Sequence, residues 1–198
     1  MPMDVVVRAL VVAVLLVASV GARPADAASE ERSVRGDTVV TLDVHTLREE
    51  ALARLAPQVR GALRGVRLQV VARPIPRTAP GAAACFDLST GAVLLGADIE
   101  DRYGHEFARS ALVHEYSHAL AWLRFKWDLR EFRARFVSAM SMPATDKYPM
   151  FSEFLRRHVA ETAKTDYSEV FPAVLLEMRS ASVLPPPLRT YLAPLMWP

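Results

Sequence analysis

Two different spacings of apolar residues divide the chain into a β-rich first part and a helical second part. Residues 84–98 hold two short apolar runs on either side of the turn residues 89–91, a pattern typical of a β-hairpin. Residues 45–65 instead repeat apolar positions at helical spacing, and we expect Pro57 to kink or split that helix. Two further segments have strand composition, 38–44 and 66–72.

After Gly104 the apolar positions recur every three to four residues, which predicts a series of helices. The longest of these patterns covers residues 105–124, and Pro185–Pro187 forbid any helix that runs through that point. Strands and one helix followed by several helices favour an α+β fold with a small sheet and hairpin ahead of a helical half. The later helices are expected near residues 129–140, 151–159 and 166–180.

The first 27 residues have the features of a secretory signal peptide. A basic residue precedes an apolar run at 9–21, and small residues fit cleavage after Ala22 or Ala27. The run is shorter than the roughly 20 residues that a spanning helix needs, which favours cleavage over a retained anchor. We therefore expect residues 28–198 to form one domain, secreted or periplasmic, with no membrane segment in the mature form.

Charge and cysteine content narrow the range of partners and of stabilising bonds. The formal net charge is +2, and the arginines are scattered among acids, which does not resemble a nucleic-acid-binding stripe. Cys85 is the only cysteine, so no intramolecular disulfide can form, and stability must come from packing or from a metal.

The helical half contains the motif His-Glu-x-x-His at residues 114–118. His114 and His118 are four residues apart, so a helix presents both imidazoles on one face, where they can take two corners of a tetrahedral zinc site. Zinc lowers the pKa of a water at its open position, and Glu115, at the edge of that face, can take the proton. The surrounding residues are uncharged, as a buried ligand helix requires. The alternative is a pair of partly exposed histidines on an ordinary amphipathic helix.

A catalytic zinc site needs a third protein ligand. The residues after His118 contain neither the glycine nor the histidine of the metzincin pattern, so that class is excluded. Asp128 and Glu131 follow too soon for a chain that must first turn back, which favours a side chain from a later helix. The downstream candidates are His158 and the acids Asp146, Glu153, Glu161, Asp166, Glu169 and Glu177.

The segment "ALVHEYSHAL", followed about fifty residues later by "AKTDYSEVFPAVL", resembles the gluzincin metallopeptidases related to the catalytic domain of anthrax lethal factor. The resemblance covers about residues 84–180 and implies a zincin-like fold, bound Zn²⁺ and hydrolysis of peptide bonds. It implies that Glu169 is the third ligand, with Glu161, Glu153, Glu177 and His158 as alternatives. Because residues 166–169 also have capping-box spacing, Glu169 could instead satisfy a helix N-terminus.

This chain departs from the family pattern at two positions that support the site. Ala173 stands where the family has a second acid, which would orient a ligand histidine. Thr162 stands where the family has a tyrosine that stabilises the oxyanion. Tyr148 and Tyr167 are nearby in sequence, but Tyr167 is two residues from Glu169 and would point away from it on a regular helix. Tyr148 is therefore the favoured substitute.

Taken together, these features predict a secreted zinc metallopeptidase in which His114, His118 and Glu169 hold the metal and Glu115 is the general base. The substrate is a peptide or protein, expected to lie extended against the strand near residues 92–96. The alternatives are a catalytically inactive zincin-like domain that acts as a metal-stabilised binding module, and a domain without metal. No nucleic-acid partner is expected, and the sequence does not indicate an oligomeric state.

Overall fold

The computed structural model describes residues 43–72, 75, 82–143, 145–159 and 166–196. These residues form an α+β fold of eight α-helices and one three-stranded mixed sheet, so the predicted fold class is confirmed at this level. Among the described helices, none is both long enough and apolar enough to cross a membrane. The predictions that lie outside the described residues concern the signal peptide at 1–27, most of the strand at 38–44, Glu161 and Thr162.

The sheet contains the strand at 66–72 and the hairpin that the sequence predicted. Its strands are β1 (Arg67–Val71), β2 (Ala84–Asp87) and β3 (Ala92–Gly96), in the order β1-β3-β2. β3 is buried along its length and pairs with β1 in parallel and with β2 in antiparallel. Because both edges of β3 are taken, the expectation that a substrate pairs with residues 92–96 is wrong.

The helices follow the predicted pattern with three differences. Val44 is helical and Asp43 caps that helix, so the predicted strand at 38–44 is wrong at its C-terminal end. A five-residue helix after β3 is too short to show a helical period, and Pro185–Pro187 begin a new helix rather than only preventing one. The helices are α1 (Val44–Arg54), α2 (Pro57–Arg64), α3 (Ile99–Tyr103), α4 (His105–Phe125), α5 (Arg130–Met140), α6 (Pro149–His158), α7 (Tyr167–Met178) and α8 (Pro186–Leu192).

Two residues set the positions at which helices begin. Pro57 is the first residue of α2, where its missing N–H costs no hydrogen bond, and it splits the predicted helix 45–65 into α1 and α2. Gly104 has φ +82° between α3 and α4, a conformation that residues with a Cβ rarely adopt. The long helix α4 therefore starts directly after α3 but in a new direction.

An aromatic core joins α5, α6 and α7. Phe132, Phe136, Phe151 and Phe154 are fully buried, as is Phe171 of α7. Phe132 and Phe171 meet edge to face with ring centroids 5.2 Å apart, a favoured aromatic geometry. This packing fixes α7 relative to α5 and so determines where the first turn of α7 lies beside α4.

A small ion network holds the start of α4. His105 Nδ1 lies 2.5 Å from Glu100 of α3, and His105 Nε2 lies 2.6 Å from Glu50 of α1. Arg109, one turn later, also approaches Glu50 at 3.7 Å. The hydrogen bonds with Glu50 and then Glu100 raise the pKa of His105 above its ordinary 6.5, since both carboxylates favour the imidazolium.

We predict that His105→Gln changes the pH dependence of stability. The network stabilises the fold fully below pH 6.5, and this contribution is lost as pH rises through the elevated pKa of His105. The free energy of unfolding of the wild type should therefore fall relative to His105→Gln above pH 6.5, by less than about 1 kcal/mol because the side chain is solvent-screened. Urea unfolding of both proteins across this range measures the difference, and parallel pH profiles would contradict the prediction.

Candidate metal centre

The motif lies in the middle of α4 and is buried on all sides. His114, Glu115, Ser117 and His118 are 6%, 8%, 0% and 9% exposed, and they are the buried polar residues of the described part of the chain. Burying so many polar groups is costly unless they have partners. The predicted alternative, two partly exposed histidines on a surface helix, is therefore not what the structure contains.

The two imidazoles and Glu169 converge on one point. His114 Nε2 lies 3.1 Å from His118 Nε2, and the Glu169 carboxylate approaches these two atoms at 3.2 Å and 3.6 Å respectively. Zinc bonds of about 2.0–2.1 Å in a tetrahedron separate the ligand atoms by roughly 3.3 Å. The three side chains could therefore hold one metal ion between them, and zinc as that metal stays a prediction.

The start of α7 explains why Glu169 faces the imidazoles. The Asp166 side chain caps this helix by accepting a hydrogen bond from Ser168 N at 2.9 Å. The Glu169 carboxylate contacts His114 and His118. Glu169 thus lies in the first turn of α7 without completing the capping box, and its side chain is free to act as a ligand.

The two carboxylates beside the imidazoles have opposite pKa shifts. Burial raises the pKa of Glu169, but hydrogen bonds from His114 and His118 outweigh burial and hold it at about 2. Burial raises the pKa of Glu115 to about 7, partly opposed by attraction to His114 and by a hydrogen bond from the Phe86 backbone N–H. Glu169 is therefore a fixed anion, whereas Glu115 can exchange a proton near neutral pH.

The other downstream ligand candidates within the described residues have different partners. Glu177 lies 2.6 Å from His158 and 2.8 Å from Arg157. These two contacts join the end of α6 to α7. Glu153 pairs with Arg156 on the surface of α6. None of these three ligand candidates, His158, Glu153 or Glu177, contacts the motif histidines in the described structure.

The two candidate tyrosines lie in different places. Tyr167 packs edge to face against Phe132 and Phe136 and lies beneath the Arg133 guanidinium, so it points away from Glu169 as predicted. Tyr148 immediately precedes α6 and is half-buried against the main core. The described residues show no hydrogen bond between Tyr148 and the motif, and its role as oxyanion stabiliser stays a prediction.

His118 has no hydrogen-bond partner at its second ring nitrogen among the described residues. His118 Nδ1 is buried and makes no hydrogen bond with the described residues. Such a partner normally fixes the tautomer and orientation of a metal-ligating imidazole. This observation is consistent with the expected effect of Ala173, which replaces the acid that would orient a ligand histidine. The buried hydroxyl of Ser117, in contrast, does have a partner, because it donates a hydrogen bond to the Val113 carbonyl at 2.8 Å.

Two neighbours of the motif were not found by sequence reasoning. Phe86 of β2 supplies the backbone N–H that binds Glu115, and a backbone group leaves no signal in the sequence. Trp127 lies against His118 with ring centroids 5.6 Å apart. Its position depends on Lys126 and Trp127 having φ of 51° and 64°, which turns the chain back over the end of α4. Left-handed backbone at non-glycine residues is not readable from the sequence.

A scan of protein-family models, a search of curated proteins and a search of solved structures each returned no match.

We predict that Glu169→Gln weakens zinc binding by more than about a hundredfold, because it removes a charged ligand rather than a supporting group. Competition with a chelator of known zinc affinity measures the change. Glu177→Gln is the matched control on the same helix and should bind zinc like the wild type. Glu161→Gln tests the alternative ligand. If Glu161→Gln loses zinc and Glu169→Gln does not, the assignment of Glu169 is wrong.

Proposed function

We propose that the protein is a zinc-dependent metallopeptidase of gluzincin type, acting outside the cytoplasm. The observation that carries the proposal is the convergence of His114, His118 and Glu169 at 3.1–3.6 Å, with Glu115 buried beside them. This donor set, two imidazoles and one carboxylate with a corner left open, is that of a catalytic rather than a structural zinc site.

Each residue of the motif has a distinct part in the proposed reaction. Zinc, when bound, supplies a Lewis acid that lowers the pKa of water and polarises a carbonyl group. The Glu115 carboxylate takes the proton from the attacking water and passes it to the leaving amine. The Phe86 N–H holds that carboxylate in place, and ionised Glu169 contributes negative charge to the ligand set.

The free edge of β2 is the proposed binding surface for the substrate backbone. Gly96 N–H donates to the Ala83 carbonyl, so in the alternating antiparallel ladder Ala84 and Phe86 direct their backbone groups away from β3. No other described strand pairs with this edge. The Phe86 N–H is already bound to Glu115, so a peptide that pairs with β2 uses the backbone of Ala84 and the Phe86 carbonyl and lies next to the proposed general base.

A second function, a catalytically inactive domain that binds metal for stability, is favoured by one observation. The unpartnered Nδ1 of His118 indicates that the supporting shell of this centre is incomplete. This alternative predicts zinc binding with no hydrolysis of any member of a diverse peptide library.

We predict that Glu115→Gln retains zinc and lowers the rate of peptide hydrolysis by at least about a hundredfold, because it removes the general base but no ligand. Mass spectrometry of a peptide library, with zinc measured on the same samples, gives both quantities. Glu106→Gln is the control, since Glu106 is an exposed acid on the same helix. Full hydrolysis by Glu115→Gln would rule out the mechanism, and purified wild type without zinc would point to a domain without metal.

A further inference from the structure

A second polar site lies between α1, α4 and α7, away from the motif. Arg54, Arg109, Arg179 and Ser110 line a small cavity that is partly open to solvent, and its remaining walls are aliphatic side chains of α4 and α7. Three arginines, one on α1, one on α4 and one directly after α7, therefore line one small space. Arginine side chains repel one another at such short range unless anions lie between them.

The acids of the protein balance these arginines only in part. Glu106 pairs with both Arg54 and Arg109, and Glu50 approaches Arg109 at 3.7 Å. Glu106 itself is 69% exposed, so it lies at the rim and is screened by water. Neither of these acids pairs with Arg179, the third arginine of the cavity.

Two donors lining the cavity remain unused. Arg109 Nε is buried and makes no hydrogen bond with the described residues. Arg179 has no acidic partner among the described residues, and its backbone adopts φ +53° where α7 ends. A buried N–H without an acceptor is costly, and a guanidinium matches planar oxyanions particularly well.

We propose that this cavity is a binding site for an oxyanion, that is, a carboxylate or phosphate group. The ligand accepts hydrogen bonds from Arg109 Nε, the Arg179 guanidinium and the Ser110 hydroxyl, with Arg54 adding positive charge. Its apolar part, where it has one, lies against the aliphatic wall formed by Val113 and Leu175. Charge-assisted hydrogen bonds from arginine are among the strongest in proteins, which suits such a site.

The cavity is separate from the candidate metal centre but uses the same two helices. Ser110 lies one helical turn before His114 on α4, and Leu175 lies six residues after Glu169 on α7. No residue of the cavity is a proposed ligand or base. The proposal therefore does not depend on peptidase activity and can be tested in its absence.

The test is titration of the purified protein with inorganic phosphate and, separately, with acetate, by calorimetry at constant ionic strength set with sodium chloride. At least one of the two should bind saturably to the wild type. Arg179→Gln should weaken that binding by about tenfold or more. The control is Arg135→Gln, which should bind like the wild type, because Arg135 is an exposed arginine on α5 that pairs with Glu131. Arg179 is exposed, so this variant is expected to fold.

Phosphate binding without acetate binding identifies a phosphate group as the ligand, and the reverse identifies a carboxylate. Either result supports the site if it depends on Arg179. Absence of saturable binding by both anions would overturn the proposal. Anion binding of equal strength in the wild type and in Arg179→Gln would also overturn the proposal. The anion would then bind elsewhere, for example at the metal centre.

A second variant places the anion within the protein itself. Ser110→Asp puts a carboxylate among the three guanidinium groups, so it should have a higher Tm than the uncharged Ser110→Asn and should no longer bind the added anion. The proposal would be contradicted if the Tm of Ser110→Asp were no higher than that of Ser110→Asn and Ser110→Asp still bound the added anion.

Discussion

The contact between the Glu169 carboxylate and the imidazoles of His114 and His118 is the interaction on which the arrangement of the helical half depends. It joins the first turn of α7 to the middle of α4, where the motif is buried. His114 and His118 therefore keep this polar partner only while α7 stays in this place.

The rest of the fold supports that contact from two directions. The aromatic core holds α7 against α5 and α6, which fixes the position of Glu169 relative to α4. On the opposite side, β2 brings the Phe86 N–H to Glu115. The result is two carboxylates in contrasting environments, one kept ionised by imidazole hydrogen bonds and one whose pKa is raised by burial.

The sequence predicted much of this arrangement because the signals are local. Helical spacing located α4 and the side of it that carries both histidines, and the proline at 57 marked the split between α1 and α2. Glu169 was favoured over the other acids on a family resemblance, and the structure brings its carboxylate to the imidazoles. Tyr167 was expected to point away, and the aromatic core explains why it does.

What the sequence could not predict depends on tertiary contacts and on backbone conformation. Strand order is one example, since the hairpin pattern does not show that β1 takes the second edge of β3 and leaves β2 as the edge beside Glu115. The placement of Trp127 requires left-handed backbone at both Lys126 and Trp127, and neither residue type predicts that conformation. The arginine-lined cavity is a third example, because Arg54, Arg109 and Arg179 lie far apart in the chain and meet only when α1, α4 and α7 pack together.

The central claim is that His114, His118 and Glu169 form one zinc centre with an open position. X-ray absorption spectroscopy at the zinc edge of the purified protein tests it directly. The account predicts four nitrogen or oxygen ligands at about 2.0–2.1 Å, with the scattering pattern of two imidazoles and no sulfur. The same spectrum from Glu169→Gln should show a changed ligand shell or no zinc. A sulfur ligand, a single imidazole, or an unchanged spectrum in Glu169→Gln would contradict the account.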